Sequence, residues 1–275
     1  MNECYGNNFI LNGELQPVEL FDNSLVYEGE SVYEVIRMIK GTPVFYQDHM
    51  ERLAGSVWLQ KKKLLAESKT IRRDIISLSR SDRKKEANIK IVFNYNQGLM
   101  NYMVYYVEPI YPTEEQYRKG VKGILFHAER KEPGSKVINH KLRSSVYHKL
   151  MHDGGYEAIL VSEDNLITEG SRSNIFFIKG EILFTAPDKL ILKGITRKHI
   201  LSICEGNGIK VELMAVKADE ISQYDSVFMT GTSPMVLPFN SIGKSGFDVG
   251  NPLMEKLRIL YISRVEESMS RFRTE

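Results

Sequence analysis

The sequence predicts an α+β fold in two parts. Strands dominate the first hundred residues, with helices grouped after the first hairpin. A charged stretch with two prolines, EPIYPTEEQYRKG at 108–120, then interrupts the pattern. Strands and helices resume beyond it in a different order. With 275 residues the chain has room for two ordinary domains or one large one. The division expected is a small N-terminal α+β domain over 1–110, a linker over 111–120 and a larger C-terminal domain over 121–275.

The elements follow from periodicity. FILNGEL alternates and turns at Asn12-Gly13. VYEVIRMIKGTPVFY reads as two strands joined across Lys40-Gly41-Thr42-Pro43. From Gln47 the period lengthens: Met50, Leu53, Val57 and Trp58 recur at helical spacing. A second helix is expected over 69–80, then strands in ANIKIVFNYN and MNYMVYYVEP. The second half opens with the strand VKGILFH, followed by a helix near 141–153 and strands at 156–162 and 173–179. ITRKHILSICEGNG is a helix that stops at Gly206 and Gly208. SVFMTGTS is a strand entering a turn, and PLMEKLRILYISRVEESMSRF is a long amphipathic helix.

Composition excludes several classes. The chain is 42% hydrophobic with a formal net charge of +2, too apolar for disorder and too weakly charged for nucleic-acid or anionic-membrane binding. Lys61–Lys63 and Arg83–Lys85 are expected at solvated helix ends. The two cysteines, Cys4 and Cys204, suggest neither a disulfide framework nor a zinc site. No basic start precedes an apolar core and no apolar run approaches a membrane span, so a cytoplasmic location is expected.

Several stretches carry possible chemistry. In LKGITRKHI, Gly194 precedes Thr196 at a helix start, where unpaired N–H groups attract an anion; taken alone, these residues favour a plain threonine cap after a glycine turn. Gly231, Thr232 and Ser233 follow a strand and make either an anion nest or an ordinary turn. Lys136 and Lys141 lie at or near a helix start, and a pocketed lysine with a lowered pKa is a nucleophile. His148 and His152 have metal spacing, but Lys149 stands where a zinc protease needs glutamate, so both are taken as surface residues and no metal is expected. Arg52 can clamp a phosphate or pair with Asp48 or Glu51. In LITEGSRSNIFFI, Glu169 sits between Ile167 and Phe176, where a carboxylate is costly without a partner.

The order of these signals resembles the class IV, fold-type IV pyridoxal-phosphate enzymes: D-amino-acid aminotransferases, branched-chain aminotransferases and aminodeoxychorismate lyases. The likeness runs through YEGESVYEVIRMIKGTPVFYQDHMERL, Lys136-x-x-Asn139, YEAILVSEDNLITEGSRSNIFFIKG, LKGITR and FMTGTSPMVLPF, from about residue 20 to 240. It implies a small N-terminal α/β sandwich, a C-terminal domain with a pseudo-barrel core, a homodimer, and pyridoxal 5′-phosphate as cofactor. On that resemblance Lys136 is the Schiff-base lysine, with Asn139 and Tyr156 at the spacing of the relatives and Lys141 ranked second. Glu169 holds the pyridine nitrogen, so that the ring accepts electrons as the substrate loses its α-proton, and Lys136 carries that proton. Arg52, the Ile195 and Thr196 backbone, the Thr196 hydroxyl, and Thr232 or Ser233 bind the phosphate. Ser173 and Asn174 belong to the same cofactor-binding motif, and Tyr33 is an active-site tyrosine.

The substrate side departs from the relatives. They carry an arginine on or just after the strand that reads IVFNYNQG here, and this chain has none in that region. Other groups then hold the substrate carboxylate, or the substrate lacks one. Arg37, Arg143 and Arg172 are candidates, with Arg172 the most interesting, and Tyr95 is placed on the substrate side. The leading expectation is transamination between an amino acid and a 2-oxo acid. The alternative is release of pyruvate from 4-amino-4-deoxychorismate, and a third reading is a non-catalytic member acting as a binding module.

Overall fold

The computed structural model describes residues 3–130 and 132–274. The chain divides into two compact units. The first holds Met1–Ile110, Ser135–Ile138 and Val265–Glu275, and the second holds Tyr111–Gly134 and Asn139–Arg264.

The first unit is built on a six-stranded sheet. Its elements are β1 (Asn8–Leu11), β2 (Glu14–Pro17), the short helix α1 (Ser24–Tyr27), β3 (Glu30–Ile39), β4 (Thr42–Pro43), α2 (Tyr46–Leu59), α3 (Ser68–Asp82), β5 (Ala87–Asn96) and β6 (Leu99–Val107). The strand order is β2-β1-β6-β5-β3-β4. The hairpins turn where glycine permits positive φ: Asn12 and Gly13 have φ of 52° and 89°, and Lys40 and Gly41 have 50° and 74°. Ile36 of β3, Ile89, Ile91 and Phe93 of β5, and Val104 and Tyr106 of β6 face α2 and α3, against Met50, Leu53, Val57, Ile71, Ile75 and Leu78. The alternate positions, Tyr33, Val92, Met103 and Tyr105, face a second cluster with Cys4, Phe9, Phe21 and Val26. Both faces are thus covered, which is why β5 is buried along its first eight residues. Each such side chain removed from water contributes about 1.5–3 kcal/mol.

The second unit carries a ten-stranded sheet curled into a half-barrel. Its elements are α4 (Glu114–Lys119), β7 (Val121–His127), α5 (His140–Asp153), β8 (Glu157–Val161), β9 (Leu166–Gly170), β10 (Asn174–Lys179), β11 (Ile182–Thr185), α6 (Ile195–Gly206), β12 (Val211–Leu213), β13 (Val216–Lys217), β14 (Ser226–Gly231), β15 (Met235–Ile242), β16 (Ser245–Gly246) and α7 (Pro252–Thr274), whose last residues belong to the first unit. The order is β12-β11-β10-β14-β15-β7-β8-β9-β13, with β16 on β15. β7 runs parallel to β8, with α5 in the connection. Ile159, Ile175, Phe177, Val227, Met229, Leu237 and Phe239 form its core.

Four expectations need correction. The stretch set aside as a linker contains α4, held by a capping box in which the Thr113 hydroxyl accepts from the Gln116 amide, and it belongs to the second unit. Ser135–Ile138, which includes Lys136, and the last residues of α7 belong to the first unit. Glu169 lies within strand β9, an additional strand between those expected at 156–162 and 173–179. Trp58, expected on the apolar stripe of α2, is 76% exposed. It falls about 100° past Val57, off the edge of the stripe.

Candidate active site

In the first unit the site residues gather around β3. Its period of two sends Tyr33 to one face of the sheet and Glu34 to the other. Lys136 lies in a short extended segment laid against β3, with Val137 bridging Val32. Its backbone is held from two sides. The Tyr33 amide donates to the Lys136 carbonyl at 3.1 Å, and the Lys136 amide donates to the Ser56 hydroxyl of α2 at 3.2 Å. The half-buried ammonium stands 5.1 Å from the centroid of the Tyr33 ring.

Glu34 is fully buried and faces α2. Arg52 Nε donates to its Oε1 and Arg52 Nη2 to its Oε2, both at 2.7 Å, and His49 Nδ1 stands 2.8 Å from Oε2. Burial works to raise the Glu34 pKa, but the Arg52 charge and the hydrogen bonds of Arg52 and His49 hold it far below the usual carboxylate range. Burial lowers the pKa of His49, and the charges of Arg52 and Lys136 push the same way against Glu34. His49 is therefore neutral near pH 7 and donates its Nδ1 proton to Glu34. Arg52 pairs with this strand carboxylate, and the charge of Asp48, one of the two helix partners the sequence offered, acts on it as well. Tyr95 is drawn away from Tyr33: it packs in the core on the helix side and its hydroxyl donates to the Lys63 carbonyl at 2.6 Å.

In the second unit, Glu169 of β9 is 3% exposed. Its Oε2 accepts from the Leu192 amide at 3.3 Å, and its Oε1 lies 2.9 Å from Arg130 Nε without aligned hydrogen-bond geometry. Arg130 also donates from Nη2 to the Ser171 carbonyl. Ser173 and Asn174 are spent on the loop itself. The Ser173 hydroxyl donates to Glu157 at 3.1 Å, and Asn174 Nδ2 donates to the Leu192 carbonyl at 2.9 Å. The buried Glu157 carboxylate also accepts from the Ser171 amide and hydroxyl, tying the turn after Glu169 to β8. Arg172 is exposed, and its Nη2 reaches back to the Tyr156 carbonyl at 3.4 Å.

The segment after Leu192 enters α6 at Gly194, with no side-chain cap, while Ile195 and Thr196 are buried. A Cβ at Gly194 would meet Asn174 Oδ1 at 2.0 Å, so only glycine allows this close packing. The Thr196 hydroxyl stands 3.1 Å from the hydroxyl of Tyr261 on α7. Buried Arg197 fixes the preceding loop through Asp188 at 2.8 Å and the Ala186 carbonyl at 2.9 Å. A helix end of twelve residues without a side-chain cap suits an anion such as a phosphate. Thr232 and Ser233 lie half-buried in the turn after β14.

The family model "Amino-transferase class IV" matches residues 31–242. This chain belongs to the class IV aminotransferases. It is 30% identical to a D-alanine aminotransferase from Bacillus licheniformis over 82% of this chain and 83% of that one. It is 23% identical to an aminodeoxychorismate lyase from Bacillus subtilis over 90% and 89%. The branched-chain aminotransferase of Thermoproteus uzoniensis, solved with norvaline, shares its fold at a TM-score of 0.85, 22% identity and 97% coverage of both chains.

Around these positions the structure of this class IV aminotransferase places buried groups that the sequence does not single out: Glu34, His49, Arg130, Glu157, Arg197 and Tyr261. One signal was available for Glu34 and Glu157. Each is a carboxylate inside an apolar strand, in VYEVI and YEAIL, which requires a buried partner. Arg130 and Tyr261 carry no local signal, because their partners are distant in sequence.

Proposed function

We propose that this class IV aminotransferase uses pyridoxal 5′-phosphate to move an amino group from an amino acid to a 2-oxo acid. The reading is supported by family membership, together with a lysine whose backbone is clamped on both sides and whose ammonium lies against Tyr33. When bound, the cofactor supplies an electron sink for charge developing at the substrate carbon. Lys136 is the amine that anchors it and then carries the proton. Glu169, oriented by the Leu192 amide and Arg130, holds a positive ring nitrogen. The α6 amides at Ile195 and Thr196, the Thr196 hydroxyl and the turn at Thr232–Ser233 bind the phosphate. Arg52 adds positive charge to that group, and its orientation is set by Glu34. Tyr33 lines the substrate side. The functional form is a homodimer in the cytoplasm.

The test is an absorption spectrum of the purified protein with pyridoxal 5′-phosphate, followed by borohydride reduction and mass mapping of the adduct. A reduced adduct on Lys136 is expected; an adduct elsewhere, or none, overturns the reading. Turnover of an amino acid only with a 2-oxo acid supports transamination. Release of pyruvate from 4-amino-4-deoxychorismate with no acceptor assigns the lyase reaction instead.

A further inference from the structure

Lys90 is the only buried lysine among the described residues, at 2% exposure. It stands in β5, flanked by β6 and β3, on the sheet face that carries Tyr33. A lysine in the middle of a covered strand costs desolvation energy that an apolar residue of similar size avoids. Its partner is Glu3. Lys90 Nζ donates to Glu3 Oε1 at 2.7 Å, the Tyr105 hydroxyl donates to Glu3 Oε2 at 2.9 Å, and the Glu3 amide donates to Asn23 Oδ1 at 3.1 Å. Three tyrosine rings surround the ammonium: Tyr33 at 5.4 Å, Tyr105 at 5.7 Å and Tyr27 at 5.8 Å.

Two features set this pair apart from an ordinary buried ion pair. Tyr33 is shared: its ring centroid lies 5.4 Å from Lys90 Nζ and 5.1 Å from Lys136 Nζ. The two ammonium groups are therefore no farther apart than the sum of those distances, which is the reach of a small amino acid derivative. The pair is also lopsided, with the Glu3 side chain 21% exposed against 2% for Lys90, so the carboxylate is the half that solvent reaches.

We propose that Glu3 is a specificity-determining residue: its carboxylate fills the anion position that Lys90 and Tyr105 build beside Tyr33. A substrate acid group placed there meets a cation already neutralised and a like charge on Glu3. The chain therefore favours donors whose side chain is uncharged at that point. The claim about donor choice rests on the proposed reaction, while the anion position itself does not.

The two parts are tested separately on the full-length protein. Glu3→Ala removes a CH2 and a carboxylate, the heavy atoms of acetate. In thermal melts at constant ionic strength, acetate is expected to raise the Tm of E3A by a few degrees over chloride, and to leave the wild type and the double variant E3A/K90M unchanged. An equal response in all three, or none in E3A, overturns the anion position. In the loaded enzyme, the ratio of kcat/KM for aspartate over alanine is expected to rise about tenfold or more in E3A. Glu3→Gln keeps the shape and the Tyr105 contact but removes the charge, and it serves if E3A does not fold. An unchanged ratio in E3Q overturns the selectivity claim. If the wild type forms no reducible adduct with the cofactor, the proposed reaction fails while the acetate melts still decide the site.

Discussion

Arg52 grips Glu34 with two parallel hydrogen bonds of 2.7 Å, across from a strand position that is fully buried. This is the fork geometry in which lysine cannot replace arginine. Removing one member of a buried pair leaves the other uncompensated, at a cost of about 3–5 kcal/mol. Glu34→Gln keeps the volume and strips the charge, so thermal melting is expected to show a Tm lower by roughly 6–12 °C. A variant that melts within a degree of the wild type would show that the pair contributes nothing to the fold.

The same cluster sets an acid limit. The folded pKa of Glu34 lies below its ordinary 4.5, so its stabilisation is present above that pH and is lost as pH falls towards the folded value. The folded pKa of His49 lies below its ordinary 6.5. The unfolded chain therefore takes up that proton first, and stability begins to fall as pH drops below about 6.5. Melting curves between about pH 2 and 8 should decline in two stages on the acid side. His49→Gln should remove the upper stage and leave the lower one in place.

How much of this was legible in the sequence depends on the range of the interactions. Local signals worked. Asn12-Gly13 marked a hairpin because its positive φ angles suit few other pairs, and Gly206 and Gly208 marked the end of α6. Pairing across a sheet face did not show. The alternation of β5 is hidden because both faces are covered, so Lys90 does not stand out in the sequence and Tyr95 reads as a substrate-side residue although it faces the helices. The roles of Ser173 and Asn174 were hidden for the same reason. Their motif is plain, but their partners, Glu157 and Leu192, lie 16 and 18 residues away in sequence.

Tyr261 tests whether the Thr196 hydroxyl is held in place. The two hydroxyls stand 3.1 Å apart and both residues are buried. Tyr261→Phe removes one hydroxyl and keeps the ring, at a net cost of about 0.5–1.5 kcal/mol. Under the proposed phosphate role for Thr196, the apparent Kd for pyridoxal 5′-phosphate should rise about two- to tenfold in an absorbance titration. Thr196→Ala should weaken binding as well. The double variant should be no worse than Thr196→Ala alone, because Tyr261 acts through the hydroxyl already lost. Additive losses would mean that Tyr261 acts by another route.

Gly194 gives the sharpest steric prediction. Its φ of −65° and ψ of 139° are ordinary for any residue, so alanine there carries no backbone strain. The obstacle is Asn174, whose Oδ1 would lie 2.0 Å from the new Cβ. Asn174 cannot turn away without breaking its hydrogen bond to the Leu192 carbonyl, which shapes the entry into α6. Gly194→Ala should therefore destabilise the protein by about 1–3 kcal/mol, as overpacking does. Asn174→Ala costs the lost hydrogen bond but opens the space. Combined, the two substitutions should cost less than the sum of their separate effects, because the clash exists only while Asn174 is present. Denaturant melts of the three variants measure this directly, and strict additivity would place the cost of alanine at 194 somewhere other than Asn174.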